Sequence, residues 1–253
     1  MDGPAYQWMV SEYLANAREY WLGYGVQEQR RDGYSLFRSG VVDAQLNGIV
    51  SFGGEHVADE LEEIERTFSG LPWLWWVGPD SNGLTTAGLV EHGYADVGAM
   101  PVMAIELDRV RNSPLPVGLE IRKVESAAEL AEWVSCYVSA FGIRAPREDI
   151  VCLESTRSGI SGTLVRFSGY LHDQLVATAA LFIHQGIAGV YVVGTLAEYR
   201  SRGIGTALTT AALNAGREQG LRTGTLQASS LGAPVYERMG FEEVTRYRLF
   251  MKR

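Results

Sequence analysis

The sequence predicts an α/β (α+β) fold made of two consecutive halves, and three observations support that class. Apolar residues alternate over short runs, as in strands, and between these runs they recur every three or four positions, as in amphipathic helices. Glycines close several of the predicted helices, which is a common way for a helix to end. The segment 109–118 combines Asn, Ser, Pro and Gly, a linker composition. We therefore expect one domain at residues 1–112 and a second at 118–253.

The N-terminal half is predicted to contain three helices and four strands. Its first helix carries Val10, Leu14 and Trp21 on one face, and its second carries Leu61 and Ile64 on one face. The predicted helices are 6–22, His56–Phe68 and Thr86–His92, and the predicted strands are Tyr34–Phe37, Ala44–Phe52, Trp73–Val77 and Ala99–Leu107.

The C-terminal half is predicted to contain four helices, five strands and a closing pair of strands. The helix 204–219 has Ile204, Leu208 and Ala212 on one face, and Gly220 follows it. The predicted helices are Ala127–Phe141, Pro146–Arg157, Ile204–Gln219 and Pro234–Met239. The predicted strands are Leu119–Val124, Leu164–Tyr170, Leu175–His184, Ile187–Thr195, Thr223–Gln227 and two within Phe241–Met251.

The charge is unevenly distributed between the halves. The whole chain has a net charge of −8, of which residues 1–117 contribute −10 and residues 118–253 contribute +2. Nucleic-acid binding needs clustered cations, so an acidic chain argues against that class. The asymmetry is compatible with an anionic ligand in the C-terminal half and a cationic one near the N-terminal half. It is equally compatible with a surface that simply keeps the protein in solution.

Signals for secretion, membrane insertion and metal binding are missing from the sequence. The first residues carry neither a positive segment nor an apolar one, and no apolar run reaches the roughly 20 residues that span a bilayer. Cys136 and Cys152 form no CxxC pair and are interpreted as reduced thiols in or near the core, and the four histidines show no metal-ligand spacing. We therefore expect a cytoplasmic protein without a metal or a membrane partner.

A glycine-containing loop separates a predicted strand from the helix at 204–219. It reads Arg200-Ser201-Arg202-Gly203-Ile204-Gly205-Thr206. The glycines let the backbone approach a bound group, and the first N–H groups of the helix have no partner within it. Together with the helix dipole they form a site for phosphate oxygens, to which the arginines add charge. A plain strand-to-helix turn is the alternative, and the loop is neither a dinucleotide fingerprint nor a P-loop.

Tyr236 is the second candidate functional residue, on the short predicted helix before Gly240. A tyrosine with its ordinary pKa near 10 stays protonated at neutral pH and could give a proton to a leaving thiolate. Taken alone, Tyr236 is also compatible with a place in the core or at its boundary.

Taken together, these motifs resemble the GNAT superfamily of acyl-CoA-dependent N-acyltransferases. The resemblance covers roughly residues 119–253, in the family's element order, with the glycine loop and Tyr236-Glu237-Arg238-Met239-Gly240-Phe241 at the family's separation. It implies a GNAT fold, in which a central, mostly antiparallel mixed sheet is splayed at the acyl-CoA site. It also implies N-acetyl transfer from acetyl-CoA, or another acyl-CoA, to an amine of a small molecule or peptide.

The resemblance also assigns roles to residues. The gap between the strands ending at Thr195 and Gln227 would take the pantetheine arm, and Tyr236 would protonate the departing CoA thiolate. The residues implied in cofactor binding are Val193, Thr195, Arg200, Ser201, Arg202, Gly203, Ile204, Gly205, Thr206 and Ser229.

Two residues depart from the family pattern, and the general base that the family often has is missing. Ala197 stands where a proline is common, and Ser229 stands where an asparagine is common, which leaves a weaker polar group near the pantetheine. No carboxylate is evident at the strand position that often supplies the general base. Glu198, Asp173, Glu154 and a water chain are alternatives, and no base is assigned.

The end of the N-terminal half resembles the end of the C-terminal half, which suggests a partial, degenerate GNAT-like repeat. Leu89-Val90-Glu91-His92-Gly93-Tyr94 occupies the position of Tyr236 to Phe241, with Leu89 in place of the tyrosine. The stretch 51–56 matching the glycine loop has no arginine. The nearby Trp73, Trp75 and Trp76 are interpreted as core residues on alternating strand faces rather than as a ligand site.

Two further readings of function stay open beside the N-acetyltransferase. One is a non-catalytic acyl-CoA-binding sensor or scaffold, suggested by the missing base and the degenerate repeat. The other keeps the fold but changes the chemistry to O-acylation or acyl-CoA hydrolysis, since a fold does not determine a function. The oligomeric state is also open, a homodimer being one option.

Overall fold

The computed structural model describes residues 4–111, 114–157 and 161–253, and within them eleven strands form one mixed sheet. The helices are α1 (Pro4–Leu22), α2 (Val57–Thr67), α3 (Thr85–Glu91), α4 (Ala127–Phe141), α5 (Arg147–Thr156), α6 (Ile204–Glu218) and α7 (Ala233–Met239). The strands are β1 (Gln27–Arg30), β2 (Tyr34–Arg38), β3 (Asn47–Phe52), β4 (Leu74–Val77), β5 (Tyr94–Glu106), β6 (Leu119–Lys123), β7 (Thr163–Leu171), β8 (Gln174–His184), β9 (Ile187–Thr195), β10 (Thr223–Gln227) and β11 (Glu242–Lys252).

Most predicted elements lie within one or two residues of their observed bounds, and four differ. The edge strand β1 was not predicted, because its sequence is wholly polar. The predicted strand at 44–52 begins with a 3₁₀ turn at Ala44–Leu46, and β5 begins five residues before its predicted start. The prediction of two closing strands at 241–251 is wrong. The segment is one strand, β11, which bends through two irregularities in its register with β5 instead of reversing.

The two halves exchange their last strands. The sheet order is β1-β2-β3-β4-β11-β5-β10-β9-β8-β7-β6, so β5 lies between β10 and β11, while β11 lies between β4 and β5. On either side of the β11–β5 pair the order repeats in mirror fashion, and in each half one pair of strands is parallel, β3 with β4 and β9 with β10. The internal repeat is therefore visible in the topology of the sheet.

The helices cover both faces of the sheet. Helices α1, α4 and α5 pack on one face, here called the α1 face, whereas α2, α3, α6 and α7 pack on the other, the α6 face. On α4, Cys136 is buried as expected. Cys152 is exposed, contrary to expectation, because α5 turns Ile150 and Leu153 toward the core instead.

The first half has the repeat's architecture without its phosphate-binding chemistry. Helix α2, the counterpart of α6, carries Asp59 and Glu60 in its first turn, where acids oppose an anionic ligand. Leu89 on α3, the counterpart of α7, is fully buried, which leaves no phenol at that position. The three tryptophans of the aromatic run are buried among other aromatic side chains, as predicted. At these counterpart positions the N-terminal half thus has acids and a leucine in place of the glycine loop and the tyrosine.

A buried ionic cluster ties α1 to the C-terminal half. Glu154 accepts from the Tyr24 hydroxyl at 2.7 Å and from Arg166 Nε at 3.0 Å, and it pairs with Arg157 at 3.5 Å. Arg157 donates to the Tyr20 carbonyl at 2.7 Å, and its guanidinium lies 3.6 Å from the Tyr24 ring centroid. Glu154 and Arg157 are each only 1% exposed. Glu154 and Arg157 therefore each have partners in both halves.

The boundary predicted between residues 112 and 118 stays a prediction, and residues 112 and 113 lie outside the described part of the chain. Among the described helices, none is both long and apolar enough to cross a bilayer.

Candidate acyl-CoA site

The predicted gap in the sheet lies between β9 and β10. These parallel strands pair only where Ile187–Gly189 face Thr223–Thr225, and beyond that point they diverge. Strand β9 is irregular just past the divergence, where Val192 has a φ of +52° and the register with β8 shifts. Two parallel strands that separate leave backbone N–H and C=O groups facing the gap between them. The splay implied by the family resemblance is confirmed.

The glycine loop leads directly from β9 into the first turn of α6. A 3₁₀ turn at Ala197–Tyr199 is followed by Ser201 with a φ of +62° and by Gly203, the N-cap of α6, with a φ of +77°. No side chain caps this helix. The N–H groups of its first turn therefore point outward with the positive end of the helix dipole.

Gly205 leaves a bare surface where the loop meets the end of β9. A Cβ atom at this position would lie 3.7 Å from Thr195 Oγ1 and 3.8 Å from Val193 Cγ1. The structure thus brings together three of the predicted cofactor-binding residues, from two elements. Any longer side chain at position 205 would extend into the space beside the uncapped amides. This cradle fits a phosphate-bearing group such as that of an acyl-CoA.

The two arginines of the loop are held by backbone carbonyls. Arg200 donates from Nε to the Thr195 carbonyl and from Nη2 to the Ala140 carbonyl, each at 3.0 Å. Arg202 donates to the Glu198 carbonyl at 3.0 Å. Since a guanidinium has five N–H donors, each arginine keeps donors available for a second partner. The two arginines thus hold the loop through backbone carbonyls and have further N–H donors for a ligand.

A groove of 580 Å³ runs beside the loop, between α6 and the segment that joins the halves. One wall is formed by Pro114, Leu115 and Pro116, and the other includes Arg202 and Gly203. The lining is mostly apolar, with a cation at the end next to the loop. Such a groove suits a flat apolar ring that carries a phosphate.

Tyr236 lies on α7 and faces α6. Burial raises the pKa of its phenol to about 12, and a hydrogen bond with the Thr209 hydroxyl opposes that rise. Thr209 in turn donates to the Gly205 carbonyl at 2.9 Å, so the phenol is connected to the first turn of α6. Sequence reasoning missed Thr209, although a threonine on the buried face of an alanine- and leucine-rich helix was a signal. The phenol is kept protonated over the whole physiological range.

Ser229 lies between β10 and α7 and accepts hydrogen bonds from the residues that lead into α7. Its Oγ accepts from the Gly232 amide at 3.2 Å, and its carbonyl accepts from the Ala233 amide at 2.9 Å. The predicted contact of Ser229 with the cofactor stays a prediction.

The three carboxylates considered as bases lie in different places. Glu154 is sequestered in the buried ionic cluster. Asp173 has a side chain that is 93% exposed and pairs with Arg122 at 3.6 Å, and Glu198 is exposed on the 3₁₀ turn. None of these positions identifies a base, and none is assigned.

A residue from the N-terminal half closes the α1 face of β9, and sequence reasoning missed it. A Cβ atom at Gly189 would collide with Asn16 Oδ1. Asn16 is fully buried, donates to the Ile187 and Phe182 carbonyls at 3.1 and 3.3 Å, and accepts from the Tyr191 hydroxyl at 2.6 Å. The asparagine thus takes space that a side chain of β9 would otherwise fill. A lone asparagine among the apolar residues of α1 was a signal, but its partner strand was not predictable.

Within the described residues, no cluster of three or more His, Cys, Asp or Glu side chains is arranged to hold a metal ion.

Comparison with known proteins places this geometry in context. Residues 163–243 match the family model for an acetyltransferase (GNAT) domain. No curated protein matches the sequence. Among solved structures, the chain is similar to a GCN5-related N-acetyltransferase from Kribbella flavida, with 20% identity, a TM-score of 0.72 and coverage of 100% of this chain and 96% of that one.

Two other solved structures share the fold. A GCN5-related N-acetyltransferase from Sphaerobacter thermophilus is 22% identical, with a TM-score of 0.60 over 77% of this chain and 64% of that one. A tandem GNAT protein from the clavulanic acid biosynthesis pathway is 14% identical, with a TM-score of 0.59 over 88% of this chain and 80% of that one. At these identities the likeness concerns the fold alone.

Proposed function

We propose that this chain is an acyltransferase of the GNAT superfamily, which the match of residues 163–243 to a GNAT domain model supports, and that it transfers an acetyl group from acetyl-CoA to an amine of a small molecule or peptide. The observation that carries the proposal is the uncapped N-terminus of α6, which opens beside the divergence of β9 and β10 with Tyr236 linked to the same turn. The helix end suits the phosphates of an acyl-CoA, the gap between the strands suits its pantetheine arm, and the tyrosine suits protonation of the leaving thiolate.

In the proposed mechanism, each element of the site has one task. The amides from Arg200 to Thr206 bind the pyrophosphate oxygens, and the backbone at Val193 and Thr195 binds the pantetheine arm. The groove beside Gly203 takes the adenosine. Acyl-CoA supplies an activated acyl carbon, on which the amine nitrogen forms a bond while the carbon–sulfur bond breaks. Tyr236 gives its proton to the departing sulfur, and the amine releases one to solvent.

The charge distribution supports a cationic acceptor. Residues 1–117 carry a net charge of −10 and the rest of the chain +2. An acidic half beside the acceptor side of the gap would raise the local concentration of a protonated amine. We infer an acceptor with at least one further positive charge, and no nucleic-acid or membrane partner. The two unpaired cysteines support a reducing, cytoplasmic compartment.

A second candidate function is a non-catalytic acyl-CoA sensor or scaffold. It is favoured by the lack of an identified general base, because Glu154 is held in the buried ionic cluster and Asp173 and Glu198 are exposed. The two candidates differ in turnover, because a sensor binds acetyl-CoA without releasing thiol when amines are supplied.

We expect Gly205→Asp to weaken the binding of acetyl-CoA by about tenfold, because the carboxylate would occupy the cradle and repel phosphate oxygens. The fold should be unharmed, since an acid in the first turn of a helix is stabilising. Isothermal titration calorimetry measures the affinity, and thermal unfolding checks the fold. Gly203 is the poorer choice, because its φ of +77° would strain any side chain.

Gln219→Glu, at the exposed far end of the same helix, is the matched control, because it makes the same charge change away from the loop. Its acetyl-CoA affinity should equal that of the wild type. If Gly205→Asp binds acetyl-CoA as well as the control does, the glycine loop is only a turn. If the wild type binds acetyl-CoA and an amine panel that includes polyamines releases no thiol, the sensor is favoured.

A further inference from the structure

Gln227 is the last residue of β10 and lies at the open end of the gap. Pairing of β10 with β9 stops at Thr225, whereas pairing with β5 continues to Gln227, which faces Val102. Residues that face each other across two strands project on the same face of a sheet. Val102 is buried in the cluster beneath α1. Gln227 therefore projects toward the α1 face, opposite the helix that would hold the phosphates.

Both polar atoms of the Gln227 amide are buried without a partner. Neither Oε1 nor Nε2 makes a hydrogen bond within the described part of the chain. The neighbouring phenol on β9, Tyr191, donates to Asn16 instead. Burial raises the pKa of Tyr191 well above 10, and the adjacent Gln227 amide opposes that rise without forming a well-aligned hydrogen bond. A buried amide with neither end satisfied is costly and uncommon, so it requires a reason.

We propose that the Gln227 amide recognises the acyl group, by donating a hydrogen bond from Nε2 to the thioester carbonyl oxygen. This inference rests on the proposed function, which brings a thioester to the point where β9 and β10 separate. A primary amide offers two donors, and a carbonyl oxygen at the gap is the complementary acceptor. Negative charge develops on that oxygen when the amine attacks, so the same bond strengthens in the transition state. Gln227 thus contacts the reacting group directly and is an additional catalytic residue.

Two observations make this position suitable for the role. The Gln227 amide is already withdrawn from water, so its hydrogen bond to a ligand costs little further desolvation. It also lies across the gap from β9, so the thioester would be held from both strands. An amide that satisfied itself within the fold would have no free donor to offer.

The test compares acetyl-CoA with S-ethyl-CoA, a thioether of equal length that lacks the carbonyl oxygen. Calorimetry is expected to show that the wild type prefers acetyl-CoA by about fivefold, the value of one ordinary hydrogen bond. In Gln227→Leu, which removes the amide at nearly constant volume, this preference should vanish while the affinity for S-ethyl-CoA stays within about twofold. Gln219→Leu, at the exposed C-cap of α6, is the control and should keep the preference.

Infrared spectroscopy of bound acetyl-CoA labelled with ¹³C at the carbonyl gives a readout that a structural role would not move. The carbonyl stretch should lie at lower wavenumber in the wild type than in Gln227→Leu. Because the deleted amide has no partner in the fold, the variant should unfold at the wild-type temperature or above it. Were Gln227→Leu not to fold, Gln227→Met, which also lacks the amide donors, would replace it in both measurements.

Each outcome has one meaning. An equal preference for acetyl-CoA in wild type and Gln227→Leu, with an unshifted carbonyl band, overturns the inference while leaving acyl-CoA binding intact. Equal weakening of both ligands, with a lower unfolding temperature, assigns Gln227 to a water-bridged structural role and also overturns it. A wild type that binds neither ligand contradicts the proposed function itself.

Discussion

Replacement of Glu154 by alanine is expected to lower the free energy of unfolding by about 3–5 kcal/mol. The carboxylate is 1% exposed and is the negative partner of Arg157 and Arg166. Its removal leaves the Arg157 guanidinium buried without a counter-charge, and a buried unpaired charge is among the most destabilising changes in a core. Urea unfolding followed by tryptophan fluorescence measures the loss.

Glu148→Ala is the matched control for this prediction, since it lies on the same helix. Its side chain is 76% exposed and pairs with Arg147 at 3.5 Å. An exposed pair of this kind contributes about 0–1 kcal/mol. Similar losses in the two variants would mean that the buried cluster does not hold the halves together.

The Glu154 cluster also predicts how stability depends on pH. Burial alone would raise the pKa of Glu154, but Arg157 and Arg166 outweigh burial and lower it. A carboxyl whose pKa is lower in the folded state stabilises the fold above the pKa of the unfolded chain, near 4.5, and loses that contribution as the pH falls further. The wild type should therefore lose stability below about pH 4.5 more steeply than Glu154→Gln, which has no proton to bind. Parallel curves would contradict this assignment.

Tyr236→Phe is expected to reduce kcat by about 100-fold or more while the affinity for acetyl-CoA changes by less than about twofold. In the proposed mechanism the phenol protonates the leaving sulfur and takes no part in binding the phosphates. Thiol release measured with the amine that the wild type acetylates fastest gives kcat, and calorimetry gives the affinity. Because the pKa of Tyr236 is raised to about 12, this phenol should cause no fall in rate as the pH rises from 8 to 10.

Tyr199→Phe provides the control for loss of a phenol near the loop. Tyr199 lies on the 3₁₀ turn, and its hydroxyl donates to Gln174 at 2.9 Å, away from the gap. Its kcat should remain close to that of the wild type. If Tyr236→Phe turned over as fast as Tyr199→Phe, another group or water would have to supply the proton.

The C-terminal half was largely predictable, because its determinants are local in the sequence. The glycine loop, the apolar face of α6 and the position of Tyr236 all follow from residues a few positions apart. The strand exchange was not predictable, since Tyr94–Glu106 and Glu242–Lys252 carry no sign of which neighbour each will choose. Asn16 was missed because the sequence does not show which strand α1 packs against. Its side chain donates hydrogen bonds to the Phe182 and Ile187 carbonyls and covers the α1 face of β9.

The candidate site was predicted in its cofactor-facing part and not in its acyl-facing part. Gly203 and Gly205 are proposed from their place between a predicted strand and a predicted helix, together with Tyr236 further along the chain. Gln227 becomes informative only when the register with β5 places its amide in a buried position without partners. A general base was identified by neither approach, because Glu154 is held in the buried ionic cluster and Asp173 and Glu198 are exposed.

The exchange of β5 and β11 has a consequence for synthesis on the ribosome. Strand β11 is translated after every other strand of the sheet, yet it fills the place between β4 and β5 in the first half. The nascent first half must therefore wait, with the edge of β4 unpaired, while more than a hundred further residues are made. An unpaired strand edge can form hydrogen bonds with other strands and so promote misassembly. One such strand is the same edge of a second nascent chain, made by a neighbouring ribosome on the same mRNA. The strand exchange thus joins the two halves into one continuous sheet, and as a result the first half cannot complete its folding before the second half is made.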